Sequence, residues 1–168
     1  MSRAFVKDDA QQDPVVVPPR APLPPGVPNY VTGRGLKRLR AEQAGLEAER
    51  SRLLAAPMDE AERQRQLTAL AGRLDALTER IASAKVLDLR MQPQDEVRFG
   101  ATVTLRSAAG EERRFQIVGV DEADAAEGRV AFIAPLARAV IGRHVGETVT
   151  LRTPRGEERL EVVAIAYA

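Results

Sequence analysis

Pro57 and Met58 are followed by three carboxylates within four residues, Asp59, Glu60 and Glu62. Carboxylates this close can hold Mg²⁺ through one or two oxygens and leave water and substrate positions open. Set at the end of a rigid element, they could carry a metal ion into another protein's active site. The same residues have a local use, because acidic groups cap a helix start and complement its dipole. A second cluster is basic: Arg34, Lys37, Arg38 and Arg40, joined by Arg80 and Lys85. It suits a phosphate backbone or the solvated flank of a coiled coil. His144 lies between Gly142 and Gly146 with no neighbouring nucleophile. The run Asp121, Glu122, Asp124 and Glu127 has the composition of a metal loop but not the spacing of a calcium loop. An exposed β-turn is expected there.

Composition removes other chemistries. The 168 residues contain no cysteine, no tryptophan and one histidine. Disulfides, thiolate nucleophiles, thiolate zinc sites and multi-histidine metal sites are excluded. With 25 Lys+Arg against 24 Asp+Glu, the formal charge is +1, which excludes binding driven by gross opposite charge. Aromatic residues are 4%, too few for a base-stacking platform. The opening MSRAFVKDDAQQD lacks the apolar run of a signal peptide. No apolar run approaches the roughly 20 residues of a membrane span. A soluble cytoplasmic protein with no membrane partner is expected.

Three segments must position these residues. Residues 1–30 hold Pro14, Pro18, Pro19, Pro22, Pro24, Pro25 and Pro28, so neither a helix nor a central strand can form there. A flexible, extended arm is expected. Residues 31–88 form an antiparallel helical hairpin. Thr32 is the N-cap of its first helix, and Leu39, Leu46 and Leu53 recur every seven residues. Pro57 stops that helix, and Asp59 with Glu62 opens the next. Leu67, Leu70, Leu74, Leu77, Ile81 and Ala84 then make a second seam. Two seams with so short a break must fold back on each other. Each arm of about 24 residues gives a rod roughly 35 Å long.

Residues 89–168 form an antiparallel β domain. Strands are expected at 96–99, 101–106, 113–120, 129–133, 148–152 and 160–166, with a helix over 134–141. The fold class is α+β, a hairpin followed by a small β domain.

The ordered segments of this second half resemble the Gre family of bacterial transcription elongation factors. They are Val97-Arg98-Phe99-Gly100-Ala101-Thr102-Val103-Thr104-Leu105, then Phe115-Gln116-Ile117-Val118-Gly119-Val120-Asp121-Glu122-Ala123-Asp124. Ala134-Pro135-Leu136-Ala137-Arg138-Ala139-Val140-Ile141-Gly142, Val145-Gly146-Glu147 and Thr153-Pro154-Arg155-Gly156-Glu157 follow. Upstream, Tyr30-Val31-Thr32-Gly33-Arg34-Gly35-Leu36 looks like the family's opening, and Ala84-Lys85-Val86-Leu87-Asp88 like the exit from its hairpin.

The resemblance implies an FKBP-like C-terminal domain that docks on bacterial RNA polymerase beside the secondary channel. It implies a coiled coil that threads that channel and acts on nascent RNA only indirectly. In cleavage-competent members, acidic tip residues help hold a Mg²⁺ shared with the polymerase, and the polymerase cuts backtracked RNA. Two-metal chemistry of this kind uses one ion to activate water and the other to steady the leaving oxygen. The chain would then be an accessory factor without a complete active site, and a monomer. By position, Asp59, Glu60 and Glu62 are the catalytic candidates, Asp59 and Glu60 the metal candidates, and Pro135, Leu136 and Arg138 the docking residues.

This chain lacks the family's tip motif, close to G-D-x-x-E-N-x-[ED]-Y, since no Asn follows Asn29. Its hairpin is also shorter than usual by roughly one to three turns per arm, on the order of 5–16 Å. The alternative is therefore a non-cleaving, Rnk-like regulator or inhibitor at the same channel. A coiled-coil oligomerisation module with an unrelated β domain is a third reading. The FKBP-like fold also raises prolyl isomerase activity, which needs an aromatic-lined pocket that Phe99, Phe115, Phe132 and Tyr167 supply poorly.

Overall fold

The computed structural model describes residues 14–168, so the first 13 residues of the expected arm lie outside the described residues. Helix α1 spans Gly33–Ala55 and helix α2 spans Glu60–Ser83. Both N-caps are the residues the sequence predicts. The Thr32 hydroxyl accepts from the Gly35 N–H, and the Asp59 carboxylate accepts from the Glu62 N–H. Leu39, Leu46 and Leu53 of α1 face Leu70 and Leu77 of α2 in one buried cluster, with Met58 closing its tip end. Every second turn of each helix therefore contributes one buried leucine, the pattern of a two-helix seam.

Leu77 is wholly buried in a seam that has few other buried residues. Leu77→Ala should cost about 2–5 kcal/mol through lost transfer energy and a residual cavity. Circular dichroism melts should show the helical signal lost at a lower temperature. An unchanged melting curve would mean that the seam does not hold the hairpin.

The hairpin is closed at its root by two short strands. Strand β1 (Asn29–Val31) and strand β2 (Ala84–Val86) pair in parallel. Strands of three residues carry almost no sequence pattern, so nothing local in the sequence marks this pair.

The second half is a five-stranded sheet in the order β5-β4-β3-β7-β6. Its strands are β3 (Thr102–Ser107), β4 (Glu112–Val118), β5 (Arg129–Ala131), β6 (Thr148–Thr153) and β7 (Gly156–Ala166). A short helix, α3 (Pro135–Val140), precedes β6. All neighbours run antiparallel except β4 and β5, which are parallel. Alternating residues Val103, Leu105, Phe115, Ile117, Leu160 and Val162 fill the core with Ala137 and Val140 of α3. The α+β architecture, a helical hairpin followed by a curled β domain, is as read from the sequence.

Two local expectations need correction. Residues 96–99 make no strand. Glu96 forms an isolated bridge to His144, while the Val97 N–H and C=O bond to Arg143 and Gly142 in a loop. The backbone then turns at Gly100, whose φ is +88°. Val97 and Phe99 are nonetheless buried, which accounts for the strand-like pattern. The second correction concerns the arm. Its described part, residues 14–28, is anchored on the hairpin and the β domain. Arg20 donates to Glu42 of α1 at 2.8 and 3.1 Å and to Asp121 at 3.1 and 3.3 Å.

Candidate functional site: the hairpin tip, the docking helix and the joint between them

At the tip, each acidic residue has a local task. Asp59 caps α2. Glu60 pairs with Arg63 at 2.5 Å. Arg63 reaches on to the carbonyls of Leu53 at 3.2 Å and Ala56 at 2.7 Å, so it closes the end of α1. Glu62 pairs with Arg65 and accepts from Gln66 at 2.8 Å. Those hydrogen bonds, from Gln66 and then Arg65, hold its carboxyl below the usual carboxylate range. Among the described residues, no three carboxylate or histidine side chains converge as a metal centre. At the tip, Asp59, Glu60 and Glu62 each turn to a separate partner.

Asp59→Ala should cost about 0.5–2 kcal/mol as a lost N-cap, with or without Mg²⁺. Denaturant unfolding in Mg²⁺ and in EDTA would check it. A destabilisation that appears only with Mg²⁺ present would point instead to a bound ion.

The basic cluster is divided by the fold. Arg34 and Arg80 turn inward to carboxylates of the β domain, while Lys37, Arg38, Arg40 and Lys85 stay exposed. The inward pair meets Asp121 and Glu122. These two acids were expected on an exposed turn and are instead the joint between hairpin and β domain. Glu122 is 2% exposed. It accepts from the Thr32 hydroxyl at 2.6 Å and from Arg34 Nε at 2.5 Å. Asp121 accepts from Arg80 at 2.9 Å and from Arg20. One acid therefore grips the start of α1 and the other the end of α2.

Close approach makes this possible. A Cβ on Gly35 would lie 2.8 Å from Glu122 Oε2, and one on Gly119 would lie 2.5 Å from the Tyr30 carbonyl oxygen. Tyr30, Phe99 and Phe132 pack together beside the joint, with centroids 5.6–5.8 Å apart. These rings meet in tilted and edge-to-face contacts.

Helix α3 presents Pro135 and Arg138 to solvent one turn apart. Leu136 is half-buried against the core, so the three predicted docking residues divide into two on the surface and one in packing. His144 is exposed and bonds Glu147 at 3.0 Å. That bond is the main reason the Glu147 carboxyl is held low.

Comparison with known proteins bears on this second half. Residues 92–167 match the family model described as "Transcription elongation factor, GreA/GreB, C-term". Over those residues the chain is similar to a GreA/GreB C-terminal domain. The GreA elongation factor of Anaeromyxobacter sp. (strain K) is 42% identical over 97 residues, covering 57% of this chain and 58% of that protein. GreA of Brucella canis is 39% identical over 97 residues, covering 57% and 62%. The chain thus spans about three fifths of the length of these relatives.

Among solved structures, GreA factor homolog 1 of Thermus thermophilus covers 82% of this chain and 97% of its own, at 21% identity and TM-score 0.40. A GreA/GreB factor of Nitrosomonas europaea covers 82% and 98%, at 22% identity and TM-score 0.42. In this β domain, Glu122 and Asp121 hold the hairpin, and Pro135 and Arg138 are exposed on the surface.

Proposed function

We propose that the chain is a Gre-type accessory factor. It binds bacterial RNA polymerase through the β domain, presents the hairpin to the secondary channel and regulates elongation without cutting RNA. The observation that carries this reading is the GreA/GreB match over residues 92–167, together with the hydrogen bonds that join the hairpin to that domain through Glu122 and Asp121. The tip favours the non-cleaving form. Its carboxylates are committed to a helix cap and to Arg63 and Arg65. A carboxylate serving a catalytic metal must reach within about 2–2.5 Å of it, and a shortened rod places that demand further away. The protein acts as a partner of another enzyme, in the cytoplasm, with no membrane role.

A stalled elongation complex carrying backtracked RNA tests this. The expected result is polymerase binding with no shortened transcript, unchanged by Asp59→Ala with Glu60→Ala. Transcript shortening that depends on those two residues would replace this reading with the cleavage-stimulating one.

A further inference from the structure

Residues 14–21 run the length of α2. Pro14 and Val15 share a cleft with Ala61, Gln64 and Thr68 in the first turns of that helix. Val17 sits on Gly72, where a Cβ would meet its Cγ2 at 2.6 Å. Further on, Arg20 takes Glu42 and Asp121, and Arg80 donates to the Ala21 carbonyl at 2.6 Å. A mid-helix glycine lowers helix stability relative to alanine, and here the space it leaves is filled by the arm.

The hold is selective and slight. Only Val17 and Arg20 are partly buried in this stretch, and Val16 is 81% exposed. Prolines 14, 18 and 19 donate no backbone hydrogen bond, so side chains and the Ala21 carbonyl retain the segment. A proline-rich chain is also extended when free, which lowers the entropy lost on seating and eases release and return. The Arg20 bond keeps the Glu42 carboxyl below its usual range, in keeping with a formed ion pair at this anchor.

We propose that residues 14–21 are a displaceable strap whose seated form keeps the hairpin from engaging its partner. This rests on the reading of the hairpin as the element presented to the polymerase. The seated strap adds a third chain, about 5 Å wide, along one face of a two-helix rod. A channel or groove fitted to the rod must exclude that chain or displace it. Release would uncover the small-residue face around Gly72 and free the Glu42 and Asp121 carboxylates for a basic group of the partner.

The absence of native cysteine makes a clean test available. The Val17 Cβ lies 3.5 Å from the position of a Cβ at residue 72, inside the roughly 3.5–4.5 Å range of disulfides. Full-length Val17→Cys/Gly72→Cys should close an intramolecular disulfide under mild oxidation, whereas each single variant should not. The oxidised protein should bind RNA polymerase at least about tenfold more weakly than the same protein reduced, because the competent fraction sets apparent affinity. Reductant should restore binding. Failure of the disulfide to form would show that the strap is not seated and would overturn the proposal. Equal or tighter binding by the oxidised form would overturn the gate while leaving the polymerase reading intact. Absence of polymerase binding by every form, the unsubstituted chain included, would overturn the polymerase reading and the gate with it.

Discussion

Glu122→Ala is expected to loosen the hairpin from the β domain and to lower stability by about 2–4 kcal/mol. Glu122 is nearly fully buried and makes two short bonds to residues about 90 positions away, Thr32 and Arg34. Helix α1 has no acidic residue in its first turn. Glu122 therefore supplies, from another element, the negative charge that a helix start favours. Removing it leaves the Thr32 hydroxyl capping Gly35 but without an acceptor of its own. The Arg34 side chain is half exposed and keeps its bond to Gln116. Its charge remains solvated, which places the loss toward the lower end of the range.

Two companion variants sharpen the reading. Glu122→Gln keeps the volume and one acceptor but can no longer accept from both partners, so it should fall between wild type and alanine. Gly35→Ala should resemble Glu122→Ala, since its Cβ would need the space of Oε2. Thermal unfolding gives the energies. Spin labels on cysteines placed at the exposed positions Leu54 and Val145 give the tip-to-domain distance. A broader distance distribution in Glu122→Ala is expected. An unchanged melting temperature with an unchanged distribution would show that Glu122 is not what fixes the hairpin.

Why this joint escaped the sequence reading follows from the range of its interactions. Thr32 and Asp59 were legible because a cap is a local event: an oxygen meets an N–H three residues away, and the residue type announces it. The leucine seam was legible because burial on a helix repeats with the helix. Asp121 and Glu122 follow Gly119 and Val120 in a connection that looks like any polar turn. Their partners Arg20, Thr32, Arg34 and Arg80 lie 41 to 101 positions away. No local spacing encodes such a pairing. The glycines at 35, 72 and 119 were silent for the same reason. None is needed for a turn, and each makes room for a neighbour distant in sequence. The tip shows the converse case. Asp59, Glu60 and Glu62 drew attention as a potential metal site because three acids stand close in sequence. Along a helix start, however, they point to separate partners.

Pro135→Asp with Arg138→Glu should weaken polymerase binding by about a hundredfold while leaving the fold intact. Both side chains are exposed on α3, three positions apart and so on one face. Aspartate is well suited to a first helical position, where it complements the dipole. Exposed substitutions of this kind usually change stability by no more than about 0.5 kcal/mol. The double variant places two negative charges where an apolar ring and a cation stood. If the face meets an acidic or apolar surface, like-charge repulsion and lost contacts together reach the few kcal/mol of an interface hot spot. Leu136→Ala provides the contrast. Its side chain packs on the core, so it should lower the melting temperature, and any loss of binding would follow from that. Binding to purified polymerase, measured beside the melting temperatures of both variants, separates a surface effect from a packing effect. Wild-type affinity in a folded Pro135→Asp/Arg138→Glu protein would remove α3 as the docking element. It would weigh equally against a cleaving and a non-cleaving factor, because both need the β domain to hold the polymerase before the hairpin can act.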